Sequence, residues 1–572
     1  MQLIQNKVNR IYIFVAVAIF STFATINSQT DTVQTNVPAL HYVFKNDFYI
    51  GCLLSYRNIG FTSDPYVQGQ SAVVTPNGGY LIQYHMNSMS PGNNMKPQYT
   101  IDMNASAAAY SAASDADKDS VDTHPVVRFN GDMIAQLNWA KRQGFTFRGH
   151  TLVWHSQTPG TGFFRTGYSS SAPRLTKEKM TGRLENYIKE VIRIIHEGWP
   201  GLLTAFDVVN EAVNDNGSDR TSDSEWYLTF GDNSYLIKAF EFARKYTIQY
   251  GETQIKLYYN DYNTSISSKA DGIVRILTPI YQAGYIDGIG MQEHDQYNSP
   301  TAESWIATYN KFYPICNEMA VTELDVKPSS STLSASVLTS QANQYAMLMK
   351  CFVERSYRSG RGKIINVSKD GLNDQYAFVA NASLWDSKNQ CKPAFYAIVD
   401  VGINYNKLDS LITSIDSLKS NGYTVESWNK FAAALTFAQS ARDQNYSYTN
   451  SAAASLGKAV DTLSAAINGL VKSISDVKTG EDKLPKNFYL AQNFPNPFNP
   501  TTQISYSVPK DGYVALKIFN LLGQEVSTLF EGFRQPGQYS VTFNGNGLAS
   551  GVYLYQLKAD GFSSTKKFIL MK

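Results

Sequence analysis

From about residue 40 to 402, short β-prone apolar runs alternate with longer stretches in which apolar residues recur at three- and four-residue steps. FYIGCLL at 48 to 54, FTFRGHTLVW at 145 to 154, LTAFDVVN at 203 to 210, IKLYYNDYN at 255 to 263, IDGIGMQ at 286 to 292 and MAVTELDV at 319 to 326 read as strands; 180 to 196, 232 to 249 and 337 to 357 read as amphipathic helices. Strand and helix in alternation predict a parallel sheet with crossover helices, and the number of units favours a closed (β/α)8 TIM barrel over an open doubly wound sheet. Near 405 the pattern changes. Leu408, Leu411, Ile412, Ile415 and Leu418 form one helical stripe, Trp428, Phe431 and Leu435 a second, and Leu456, Val460, Leu463, Ile467 and Leu470 a third, which predicts a small three-helix bundle over 405–472. A charged linker at 473–486 follows. From 487 to 572 period-two alternation broken by Gly and Pro turns predicts a β-sandwich of about seven strands.

Composition narrows the partners. The 50 basic and 48 acidic residues leave a formal charge of +2, and no basic run is long enough to track a phosphate backbone, so nucleic acid is not expected. Lys7 and Arg10, then the apolar run Ile11 to Phe20 and small residues through Ser28, read as a secretory signal peptide over 1–28; the run is short for a membrane span. Cys52, Cys316, Cys351 and Cys391 lack CxxC spacing, which disfavours zinc, and no metal or cofactor is expected. Export would permit disulfides in three connectivities; Cys351 with Cys391 is the expected pair, and Cys52 in its apolar strand is expected to be a buried free thiol.

Two strands end in chemistry. FDVVNEA puts Glu211, and TELDV puts Glu323, at the ends of separate apolar runs. Glycoside cleavage needs a carboxylic acid to protonate the leaving oxygen and a carboxylate to meet the oxocarbenium-like carbon. A lone carboxylate past a strand is more often a helix cap or a loop ion pair, so the neighbouring motifs decide. RGHTLVWHSQTP at 148 to 159, FDVVNEA at 206 to 212, LYYNDYN at 257 to 263, IDGIGMQEH at 286 to 294 and TELDV at 322 to 326 resemble, in order and spacing, glycoside hydrolase family 10, whose members are mostly retaining endo-β-1,4-xylanases on TIM barrels.

The resemblance covers the barrel, 38–402, and implies roles residue by residue. Glu211 matches the general acid/base and Glu323 the nucleophile; Asn210 matches the residue bonding the sugar 2-hydroxyl, His294 and Asp325 a pair orienting the nucleophile, and Gln292 a residue bonding near the acid/base. His150, Trp154, Gln157, Asn93 and Lys96 match substrate-binding positions. Two departures stand out. Asp370, in DGLND at 370 to 374, replaces a tryptophan roofing the cleft, and Phe378 sits where a second would be; Gly92 and Pro97 also depart from the pattern. The chain's seven tryptophans lie elsewhere in sequence, although Trp385 could fold back into the cleft.

Beyond the barrel, YTVESWNKFAAALTFAQ at 423 to 439 resembles the FIVAR modules of extracellular carbohydrate-active proteins. NFPNPFNP, GQEV at 523 to 526, SGVYLYQL at 550 to 557 and the basic residues Lys566, Lys567 and Lys572 resemble the C-terminal sorting domain of type IX secretion. Together these imply a monomeric retaining xylanase, secreted or held on the outer surface of a Gram-negative bacterium, acting on xylan or a related plant cell-wall polysaccharide and engaging the type IX secretion machinery. A β-glycanase with another backbone preference, suggested by Gly92, Asp370 and Phe378, and a catalytically weak surface glycan-binding protein remain the alternatives.

Overall fold

The computed structural model describes residues 33–54, 78–375, 377–443, 452–472, 485 and 487–571. The expected signal peptide and most of the linker at 473–486 lie outside them. Two compact units divide at 472/473, each with its own apolar core.

The first unit is built on a closed parallel barrel. Its strands are β1 (Tyr49–Leu54), β2 (Ser88–Pro91), β3 (Thr146–Trp154), β4 (Leu203–Asn210), β5 (Lys256–Asp261), β6 (Gly288–Met291), β8 (Glu318–Lys327) and β9 (Ile364–Asp370), with the short β7 (His294–Gln296) paired outside the ring onto β8. Pairing of β1 with β9 and of β6 with β8 closes the ring, which leaves no unpaired barrel edge. A helix follows each barrel strand: α1 (Gly78–His85), α2 (Gly131–Gln143), α3 (Lys177–Gly198), α4 (Ser234–Gln249), α5 (Ser267–Gln282), α6 (Ala302–Phe312), α7 (Ala335–Val353) and α8 (Pro393–Ser414).

Local sequence signals set these elements. The strands are buried on both faces, so they read as near-continuous apolar runs. The Asn130, Thr176, Thr301 and Ser334 side chains each accept from a backbone N–H of the first turn and cap the helices they precede. Gly144, at a φ of 69°, ends α2 in the left-handed conformation that favours glycine. The strands β2 and β9 escaped the sequence reading: SMSP has no apolar run, and IINVSKD mixes polar residues into its second half.

No break falls near 402 to 405. The buried stripe Phe395, Ile398, Val401, Tyr405, Leu408 and Ile412 keeps its helical period through that point, so the last barrel helix and the first bundle helix are one element, α8. Gly402 does not end it, because the helix there lies against Val43 and Phe44, where a β-carbon would meet the Phe44 ring at 2.5 Å. The helices α9 (Val425–Asp443) and α10 (Ala452–Asn468) complete the three-helix arrangement, and Phe431, Leu456 and Leu463 belong to the same core as the barrel.

All four thiols are free, which corrects the expected Cys351–Cys391 pair. Cys351 is buried in α7 against Met347, whereas Cys391 lies in the bridge opposite Trp385, so the two face different neighbours. Cys52 is buried and free, as expected.

Among the described residues the second unit has seven strands in two antiparallel sheets. Strands β10 (Tyr489–Leu490), β11 (Thr501–Val508) and β14 (Gly537–Asn544) form one; β12 (Gly512–Phe519), β13 (Glu525–Arg534), β15 (Gly551–Ala559) and β16 (Phe562–Leu570) form the other. Val514, Leu516, Ile518, Tyr555, Leu557 and Phe568 alternate inward to make its core.

Candidate active site

Parallel pairing brings strand ends from across the sequence to one mouth of the barrel, where such enzymes carry their chemistry. Trp154 and Asn210 are register partners, as are Asn210 and Asn260, while His294 pairs with Asp325. Glu211 follows the last residue of β4 and adopts a φ of 55°, a left-handed conformation uncommon outside glycine and asparagine. Its backbone N–H donates to the Asn260 carbonyl at 2.9 Å and its carbonyl accepts from Arg220 Nε at 2.7 Å, which hold the turn.

The two glutamates have unlike surroundings. The Glu211 carboxylate accepts from Trp154 Nε1 at 2.9 Å, Gln292 Nε2 at 2.9 Å and Asn210 Nδ2 at 3.2 Å, all neutral donors. Glu323 is 7 % exposed; its Oε1 accepts from Asn260 Nδ2 at 3.0 Å, and its Oε2 lies 3.4 Å from His294 Nε2. Burial alone would raise the Glu323 carboxyl, but the His294 hydrogen bond and the charges of His150, His294 and Arg148 outweigh it and hold the group well below the usual carboxylate range.

His294 sits between two acids, with Nδ1 at 3.1 Å from Asp325. Burial opposes its charge, yet the hydrogen bonds and charges of Asp325 and Glu323 prevail and push the imidazole up to about 11. On the other wall His150 Nδ1 is 2.8 Å from Asp207, which also pairs with Arg148. Lys96 donates to Asn93 Oδ1 at 2.9 Å and Gln157 Oε1 at 2.8 Å and stands 4.7 Å above the Trp154 ring. Burial lowers its ammonium, while Glu323, Glu211 and Asp370 pull in the opposite direction.

Asp370 ends β9, is 7 % exposed, and its carboxyl is raised to about 6, by burial first and then by the Glu323 charge. The Phe378 ring lies 5.7 Å from that of His294 and is 81 % exposed. Ligand atoms of His294, Asp325 and Asp370 come within 4.8 Å of one another, close enough for a cation, although the imidazole nitrogens already face Asp325 and Glu323.

Contacts therefore link the proposed site residues, from Lys96, Asn93 and Gln157 through Trp154 and Glu211 on one side to Glu323, His294, Asp325, Asp370 and Phe378 on the other, while one reading is corrected. Trp385 does not fold back into the cleft. It is fully buried against His85 and Phe395, in the apolar core. Asn260 went unread: its amide bridges Asn210 Oδ1 and Glu323 Oε1, and its own Oδ1 accepts from Thr322 Oγ1 at 2.7 Å. The signal was present, an asparagine closing the apolar run LYYN, but only the sheet register places it beside Asn210. Behind the acid side, Asp261 is buried among Tyr259, Lys269 and the backbone of Tyr262, and burial raises its carboxyl to about 7 against the pull of Lys269.

Residues 40–401 match the model of glycosyl hydrolase family 10, and 492–571 that of a secretion system C-terminal sorting domain. A putative endo-1,4-beta-xylanase of Caldicellulosiruptor saccharolyticus is 33% identical over 323 residues, 54% of this chain and 98% of that one. Endo-1,4-beta-xylanase Y of Acetivibrio thermocellus is 30% identical over 65% of this chain but only 33% of its own length. Among solved structures, the CBM22-1 and GH10 modules of a Clostridium thermocellum endo-1,4-beta-D-xylanase complexed with xylohexaose superpose with a TM-score of 0.53 at 29% identity, covering 66% of this chain and 68% of that one. An intracellular xylanase of Thermoanaerobacterium saccharolyticum in complex with xylotriose gives 0.51 at 27%, covering 64% and 100%.

Proposed function

This chain belongs to glycosyl hydrolase family 10, and on that premise we propose that it is an exported retaining endo-β-1,4-xylanase that cleaves internal bonds of xylan. The observation that carries the reading is the pair of carboxylates with opposite surroundings, Glu211 just after β4 among neutral donors and Glu323 within β8 beside a charged imidazole and Arg148. Glu211 protonates the glycosidic oxygen as the C1–O bond breaks, and Glu323 forms the bond to C1 on the opposite face. Water then attacks C1, gives its proton to Glu211 and releases Glu323. Asn210, held by Asn260 and Gln292, bonds the sugar 2-hydroxyl in this reading, which its two hydrogen bonds support. His294, oriented by Asp325, keeps Glu323 ionised. Asn93, Lys96, His150, Trp154 and Gln157 bind the sugars on the non-reducing side.

The sorting domain supports export and a place in the medium or on the outer surface of a Gram-negative cell through type IX secretion, with 1–28 and the segment from 487 onward removed from the mature enzyme.

The test is Glu323→Ala. Turnover on xylan should fall by at least about 10³-fold with folding intact, and azide or formate, entering the space left by the carboxylate, should restore glycosyl transfer with the anomer inverted. Undiminished activity in that variant would sink the assignment.

A further inference from the structure

Asp370 is a buried carboxyl whose Oδ2 has no hydrogen-bond partner among the described residues. The adjacent cation does not supply one: Lys369 Nζ donates instead to the carbonyls of Asp370, Gly371 and Leu372. A polar group held in this way costs free energy unless a ligand completes it. Burial and unpartnered polarity at a strand end beside the reacting centre point to a ligand group as the missing partner.

The layout of the cleft says which part of a sugar that is. The two oxygens of Glu323 face different walls. Oε1 faces Asn260, which also holds Asn210, while Oε2 faces His294, with Asp370 and Phe378 on that same side. A pyranose ring with C1 at Glu323 and its 2-hydroxyl on Asn210 turns its opposite edge, O5 and C5, toward the wall of His294, Asp370 and Phe378. Xylopyranose carries only hydrogens at C5. Glucopyranose carries a hydroxymethyl group there. A wall serving xylose alone is best closed by an apolar ring, and a tryptophan holds this position in the pattern the chain otherwise resembles; aspartate is smaller than indole and offers an unpaired oxygen.

Resting on the family assignment and mechanism above, we infer that Asp370 is a specificity-determining residue that receives the C5 hydroxymethyl group of a glucosyl unit in the subsite beside Glu323. The chain then hydrolyses β-1,4-glucosyl as well as β-1,4-xylosyl bonds, with the same transfers of proton and glycosyl group. A site that hydrogen-bonds a substrate hydroxyl discriminates strongly against the analogue that lacks it, because its own polar group is then left unpaired. The exposed Phe378 ring supplies apolar surface on the same wall.

The experiment compares specificity constants of the full chain on 4-nitrophenyl β-cellobioside and 4-nitrophenyl β-xylobioside. The protein should cleave both. In Asp370→Ala, which removes the hydrogen bond and leaves room, the cellobioside-to-xylobioside ratio should fall at least tenfold; in Asp370→Trp, which also fills the space, it should fall further. Cleavage of the xylobioside with no detectable action on the cellobioside, or an unchanged ratio in Asp370→Ala, would overturn the inference while leaving the xylanase reading standing. Failure on both glycosides and on xylan would overturn the two together.

Discussion

His294 carries a positive charge because its two nitrogens face two carboxylates, and that charge keeps Glu323 ionised in a site where burial works against it. The sign is the depressed-carboxylate case: the ionised, competent form persists as pH falls below the usual glutamate range. Removing the imidazole restores the burial penalty. His294→Gln should therefore move the acid limb of kcat/KM upward by at least about one pH unit, read from a pH profile on a soluble aryl glycoside; an unmoved limb would show that His294 does not set the ionisation of Glu323. Asp370 is the opposite case. Its carboxyl, ordinarily near 3.8, is raised to about 6 in the fold, so the neutral form is favoured there and stability is lost as pH rises from about 4 through 6. A shift of that size is worth on the order of 3 kcal/mol. Asp370→Asn, which keeps the shape without the charge, should raise Tm relative to the parent at pH 8 and not at pH 4; thermal melts at the two pH values check it.

At the scale of elements, α8 ties the bundle to the barrel. Its apolar stripe runs from Phe395 to Ile412, and the C-terminal half is covered by α9 and α10 through Phe431, Leu456 and Leu463. Cutting the chain at 404, where the sequence suggests a boundary, splits a helix and uncovers that stripe. Such a truncation should lower Tm by several degrees or aggregate, whereas a chain ending at 472 should keep the barrel transition of the parent. Within the bundle, Phe431→Ala should cost about 3–5 kcal/mol, because the ring is almost fully buried and its loss leaves a cavity. Calorimetry should show that loss in the barrel transition itself, since the two share one core; a separate low-temperature bundle transition would contradict the shared core.

For the whole molecule, each of the two units that divide at 472/473 has its own apolar core. Deleting 488–572 should leave kcat/KM on xylan unchanged within about twofold and remove one calorimetric transition. In the native host the same deletion should strand the enzyme in the periplasm, which fractionation followed by immunoblotting would reveal; normal export without the segment would mean that it carries another role.

Legibility in the sequence followed the range of the interactions. Barrel, bundle and sandwich were readable because each element's apolar period is local, and the proposed catalytic pair could be singled out because Glu211 and Glu323 each follow an apolar run inside a distinctive motif. β2 and β9 were not, since SMSP and IINVSKD are strands by virtue of the neighbours that hydrogen-bond them on both sides. The boundary near 405 dissolved for a related reason: composition changes there, but the continuity of α8 depends on what each of its turns packs against, and Gly402 serves a close approach to Phe44 instead of a helix end. Asn260 acquired a place in the site only through the register that sets β5 against β4, and Trp385 left it because His85 and Phe395 offer an apolar cover that the cleft does not. The sequence by itself determined which groups could do the chemistry; the tertiary structure decided which of them meet, and it left Asp370 Oδ2 buried with no hydrogen-bond partner among the described residues, because distances between strand ends are set by closure of the barrel and are written nowhere in the spacing along the chain.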